Sequence, residues 1–173
     1  MERIPIRYDR ALKPEWLDFA VEQAIKAADE STWRAALKEY IEPRVKGTNA
    51  KTKTITQLTR VVGATSPISR DRLEAIHQQM VRSAPDQRTL VRLHLLMEAC
   101  PFFKDCVLAI RKMSILGQDG IAISQLYQRL VALYGDRAIV PRSVRNVLTT
   151  LLWLGLVKNC EHRWVPSETL LAW

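Results

Sequence analysis

Apolar residues recur every three or four positions through the first hundred residues, the spacing of one face of an α-helix. Over 14–28 the stripe is Leu17, Ala20, Val21, Ala24, Ile25 and Ala28, with Pro14 suited to a first helical turn. A second helix is expected after Ser31 as its N-cap, carrying Trp33, Ala36, Leu37, Tyr40 and Ile41 before Pro43 stops it. A third holds Ile55, Leu58, Val61 and Val62 and ends at Gly63. A fourth, after Ser69, presents Leu73, Ile76, Met80 and Val81. A fifth, capped by Asp86, carries Leu90, Leu93, Leu96 and Met97. This pattern predicts a helical bundle over residues 1–100.

Beyond Pro101 the pattern shifts. Residues 102–116 read as one helix, and Gln118-Asp119-Gly120 is turn chemistry. A short helix capped by Ser124 follows, with Leu126, Leu130 and Leu133 inward, and another opens at Pro141 and is ended by Gly155. Two β-prone pieces, 156–158 and 163–165, are joined by a polar tip at 159–162, a hairpin pattern. Three helices and a hairpin over about seventy residues is the order of a winged helix-turn-helix, whose third helix enters the DNA major groove. The expected fold is therefore mostly α, an N-terminal helical bundle followed by a C-terminal winged helix-turn-helix with a small β-hairpin over 101–173.

Charge sharpens this picture. Lys and Arg number 26 against 18 Asp and Glu, a net charge of +8 that favours polyanionic partners. On the helix from Pro141, Val144, Val147, Leu148, Leu151 and Leu154 form the inward side. Arg142, Arg145, Asn146 and Thr149 then fall outward on a helix about 21 Å long. Arg bonds guanine bidentately and Asn bonds adenine, while either also holds phosphate. No acid occurs from 137 to 160, whereas Arg137, Arg142, Arg145 and Lys158 do. A second acid-free window, 43–70, contains Arg44, Lys46, Lys51 and Lys53. Its first part, 47–54, reads as an exposed loop feeding a helix N-terminus, with hydroxyls and lysines suited to phosphate. These ten residues are the candidate DNA contacts. An ordinary solvated helix face and a flexible basic loop remain the bland alternatives.

Other chemistries find little support. Only Gly47 of a Walker loop is present, and neither a Gly-x-Ser-x-Gly nor a Glu-x-Lys tripeptide occurs, so no catalysis and no cofactor are expected. Cys100, Cys106 and Cys160 lack zinc spacing even with His94 and His162, and their odd number speaks against a disulfide framework. The longest apolar run, 151–157, is far short of a bilayer span, and the first ten residues hold no apolar signal segment. A cytoplasmic protein without membrane attachment is the expectation. Four of the tryptophans are expected to pack, and Trp173 at the last position is placed to anchor the tail to the body or to another subunit.

The run 88–105, a Leu/His-rich helix broken at Pro101 and followed by Phe102-Phe103-x-Asp105, together with the tail 143–158, resembles the BrxA family. These are small accessory proteins of BREX anti-phage systems. Tyr40-Ile-Glu-Pro43 and the stretch 53–60 resemble its helical half in outline, and the likeness covers about residues 50–165. It implies a first domain similar to the antitermination factor NusB, joined to a winged helix. It also implies non-catalytic binding of double-stranded DNA within a defence apparatus, alongside other defence proteins. A diverged defence-associated relative fits the same residues. Two rival readings stay open: a protein–protein adaptor in such a complex, and a dimeric, sequence-specific transcriptional regulator. Oligomeric state is not legible.

Overall fold

The computed structural model describes residues 4–173. The chain is mostly helical, with nine helices and a three-stranded antiparallel sheet among the described residues. It divides into two compact units. One is Leu12–Cys100, and the other joins Pro101–Trp173 to the N-terminal segment through Ala11. That segment belongs with the later unit because Tyr8 is buried with its ring 5.1 Å from Phe103 and its hydroxyl 2.7 Å from Thr150 Oγ1.

The first unit is built from α1 (Pro14–Lys26), α2 (Glu30–Ile41), α3 (Thr48–Val61), α4 (Arg70–Arg82) and α5 (Pro85–Ala99). Helix α1 packs against α2 and α4, and α3 and α4 each pack against α5. Trp33 on α2 is buried, and its indole N–H donates to the Ala20 carbonyl of α1 at 2.9 Å. The α1 C-terminus is closed by Arg70, which donates to the Ala24 and Ile25 carbonyls, each at 2.8 Å. Asp18 of α1 receives two bonds from Arg92 of α5, at 2.8 and 2.6 Å.

Several caps differ from expectation. Asp29, not Ser31, caps α2 by accepting from the Thr32 N–H, and that bond holds the Asp29 carboxyl below its ordinary pKa. Pro85 takes the first turn of α5, so Asp86 lies inside the helix instead of capping it. Residues 47–54 are not a loop. Gly47, at φ 87°, turns the chain, and helix begins at Thr48. The threonines that argue against helix are accommodated because Thr52 and Thr54 donate their hydroxyls to the carbonyls of Thr48 and Ala50.

The second unit contains α6 (Pro101–Ile115), β1 (Ile121–Ala122), α7 (Ile123–Tyr134), α8 (Ile139–Trp153), β2 (Val157–Cys160), β3 (Arg163–Pro166) and α9 (Glu168–Ala172). The sheet order is β1-β3-β2, with Ile121 opposite Trp164 and Val157 opposite Pro166. Strand β1 is too short for a periodic signal. It exists because β3 offers it a pairing edge. Ser124 is exposed and does not cap α7; the Gln125 side chain instead accepts from the Ala122 N–H at 3.0 Å. Tyr134 is buried, with its ring against Phe102 and its hydroxyl donating to Asp105 at 2.6 Å. The tail is anchored within this unit, since Arg111 lies over the Trp173 ring at 4.6 Å and donates to the Leu171 carbonyl.

Candidate nucleic-acid interface

Helix α8 is aimed by what surrounds it. Gly135, at φ 81°, ends α7, and the chain turns through Asp136 and Arg137 into α8. Pro141 sits inside the first turn, where no intrahelical N–H is needed. Val140, Val144, Val147, Leu148 and Leu151 are all buried on one stripe, so the opposite face must look outward. Gly155, at φ 73°, then lets the chain leave the helix, and Leu156 turns back with its N–H on the Leu151 carbonyl.

The outward face carries Arg142 and Arg145, both exposed, with Thr149 half-buried beside them. Asn146, expected to point outward, is half-buried with its amide nitrogen enclosed and without a hydrogen-bond partner among the described residues. Between Arg142 and Thr149 the face runs about 10 Å along the axis. Neither arginine has an ion pair among the described residues, and α8 has no acidic residue to provide one. Trp153, four residues beyond Thr149, extends the same ridge and is 40% exposed, as is its neighbour Leu152 at 41%. Extending the i, i+4 spacing past Thr149 would have placed Trp153 there from sequence. Thr150 is buried and turned inward, donating to the Asn146 carbonyl at 3.0 Å.

Lys158 lies on β2 opposite Val165, exposed and without an ion partner among the described residues. The strands continue through Cys160 and Arg163, so the connection is a two-residue turn, Glu161-His162, shorter than the four-residue tip expected. Both turn residues have positive φ, 49° and 66°. Exposed Arg163 adds a cation that the strand pattern did not single out; one of its guanidinium N–H groups donates to the Gly120 carbonyl at 3.3 Å.

The remaining candidates are differently engaged. Arg137 is half-buried and donates to the Ile4 carbonyl at 2.9 Å, which ties down the N-terminal segment. Arg44 donates to the Tyr40 carbonyl at 2.7 Å, and its guanidinium lies 3.8 Å from the Tyr40 ring centre. Tyr40 is itself stacked on Phe19. Lys51 pairs with Glu42, which lies one residue outside the acid-free window and is brought back by the α2–α3 turn. Lys46 and Lys53 are exposed without ion partners among the described residues. Arg142, Arg145, Asn146, Thr149 and Lys158 therefore lie on consecutive elements of one unit, while Arg44, Lys46, Lys51 and Lys53 belong to the other.

Cys100 and Cys106 are buried and Cys160 is exposed. Among the described residues no group of three His, Cys, Asp or Glu side chains is gathered as a metal site, and no helix is long and apolar enough to cross a membrane. Compared with protein-family models, curated proteins and solved structures, the chain finds no match among any of them.

Proposed function

We propose that the unit containing α6–α9 is a winged helix-turn-helix that binds double-stranded DNA without catalysis, mainly through phosphates. In this reading α8 is the recognition helix and the β2–β3 hairpin is the wing. One observation carries it: Arg142 and Arg145 stand exposed, with no ion pair among the described residues, on the outward face of a helix whose other face is buried, one helix-to-strand turn from Lys158. Two exposed guanidinium groups on a rigid element suit phosphate oxygens, and the half-buried Thr149 beside them can add a hydroxyl. The Asn146 amide nitrogen, by contrast, is enclosed and would have to turn outward to read a base edge. A place as an accessory of an anti-phage system rests on the BrxA-like residues alone, and a location in the cytoplasm on the odd number and irregular spacing of the cysteines.

The test is fluorescence anisotropy of a labelled random duplex across a salt series. Three free cations, Arg142, Arg145 and Lys158, correspond to a log–log slope of about −3. Arg142→Ala/Arg145→Ala is expected to weaken binding and make the slope shallower by about 2. Absence of binding at low salt refutes the proposal.

A second reading is a docking surface for another protein, favoured by Leu152 and Trp153, which expose apolar area at the end of the same helix. Duplex binding that survives unchanged in Arg142→Ala/Arg145→Ala would move the interface off α8 and support this reading.

A further inference from the structure

Helices α2 and α3 leave an open surface groove of about 340 Å³ lined by Arg34, Ala35, Lys38, Thr52, Ile55 and Thr56. It arises from side-chain size. Ala35 on α2 and the two threonines on α3 are short, so the packed helices leave open space between their outer edges.

The charge in this groove is one-sided. Arg34 and Lys38 are exposed and make no ion pair with any described residue. Along α2, Glu42 is held by Lys51, Glu30 accepts from the Ala64 N–H at 3.4 Å, and neither pairs with Arg34 or Lys38. Glu39, exposed on α2, does not line the space. Over residues 30–61 there are seven basic and three acidic side chains, so the surroundings reinforce the sign.

Geometry narrows the ligand. Arg34 and Lys38 are one helical turn apart, about 6 Å along the axis, so they present two successive positive charges. The Thr56 hydroxyl can donate to an oxyanion between them, while the Thr52 hydroxyl is committed to the Thr48 carbonyl. A carboxylate carries one negative charge against these two positive ones. Linked phosphoryl groups would meet both, and Arg offers phosphate a bidentate fork. No aromatic side chain lines the groove, so a base would find no stacking platform.

We propose that the α2/α3 groove is a phosphate-chain site that takes successive phosphoryl groups, supplied by a nucleic-acid backbone or by a free oligophosphate. It recognises phosphate and not base, and it is separate from the α8 surface. The experiment is an amide NMR titration of the full chain, once with tripolyphosphate and once with a short random duplex. Tripolyphosphate should shift resonances of residues lining the groove on α2 and α3. Arg34→Ala/Lys38→Ala should weaken that binding about tenfold or more, as expected for loss of a charge-assisted contact. Thr56→Val, which keeps the charge, should weaken it less. Groove shifts with the duplex as well identify a nucleic-acid backbone as the source; groove shifts with tripolyphosphate alone identify a free oligophosphate. Shifts spread evenly over all exposed Lys and Arg, or binding unchanged in Arg34→Ala/Lys38→Ala, overturn the proposal. Arg142→Ala/Arg145→Ala should leave the groove shifts intact, so failure here and failure of the α8 reading are distinguishable.

Discussion

Tyr8 is 0% exposed, and its hydroxyl lies 2.7 Å from Thr150 Oγ1 on α8. Thr150 has one hydroxyl proton and gives it to the Asn146 carbonyl at 3.0 Å. Tyr8 must therefore be the donor in the shared bond and Thr150 the acceptor. This relay joins the N-terminal segment to the helix that carries the candidate interface. Tyr8→Phe removes the donor and leaves an acceptor that has lost one partner, at a cost of about 1 kcal/mol. Thr150→Val removes the acceptor of a buried donor and should cost about 1–3 kcal/mol. The double variant removes both polar groups, and its cost should fall short of the summed single costs by about 1–2 kcal/mol. Urea unfolding of the four proteins, followed by a signal from the α6–α9 unit, measures that difference. For a unit of this size, 1 kcal/mol corresponds to about 4–8 °C in Tm, so melting curves provide a second readout. Additive single costs would refute the relay, because groups that do not share a bond do not couple.

Further expectations concern packing, backbone and pH. A Cβ on Gly63 would lie 2.6 Å from Trp33 Cζ3 and 2.8 Å from Cη2, and the indole is fixed by its bond to Ala20. Gly63→Ala should therefore destabilise the bundle by roughly 1–3 kcal/mol in a denaturant titration, and a neutral result would refute the close approach. His162 holds φ 66° in the β2–β3 turn, so His162→Gly should raise the stability of its unit by roughly 0.5–1 kcal/mol, seen as a higher urea midpoint. A lower midpoint would contradict the turn geometry. Burial, and then the charge of Arg72, hold the His94 imidazole below its ordinary pKa of 6.5, against a smaller opposing pull from Glu98. The folded state therefore binds that proton less readily than the unfolded chain. Its stabilisation is complete above pH 6.5 and is lost as pH falls from there toward the depressed folded value. His94→Gln should flatten the stability profile across that range, and an unchanged profile would assign the pH dependence elsewhere.

The helices were legible because burial imposes its period on the chain. Leu17, Ala20 and Val21, or Leu73, Ile76 and Met80, announce a buried face before any partner is known. The outward set on α8 was legible for the same reason, since once the valines and leucines are assigned inward, Arg142 and Arg145 have only the other side. Caps were less readable. Ser31, Ser124 and Asp86 all have the chemistry of a cap, and a helix start depends on where the preceding backbone turns, which Gly47 and Pro85 decide locally. Strand β1 and helix α9 are each too short to show a period, and both depend on neighbours for their existence.

The sequence by itself determined the alternation of apolar and polar faces, the turns at its glycines and the excess of positive charge. Those properties are local or additive, so they need no partner to be read. Only the tertiary structure decided which of the charges remain free. Lys51 lies in an acid-free stretch yet meets Glu42 across a helix turn, and Arg137 is drawn to a carbonyl from the far end of the chain. Arg34 and Lys38, with Glu30 and Glu39 near them in sequence, make no ion pair with any described residue and stand at the edge of a groove. Electrostatic compensation acts through distance in space, and spacing along the chain predicts that distance only within a single helix.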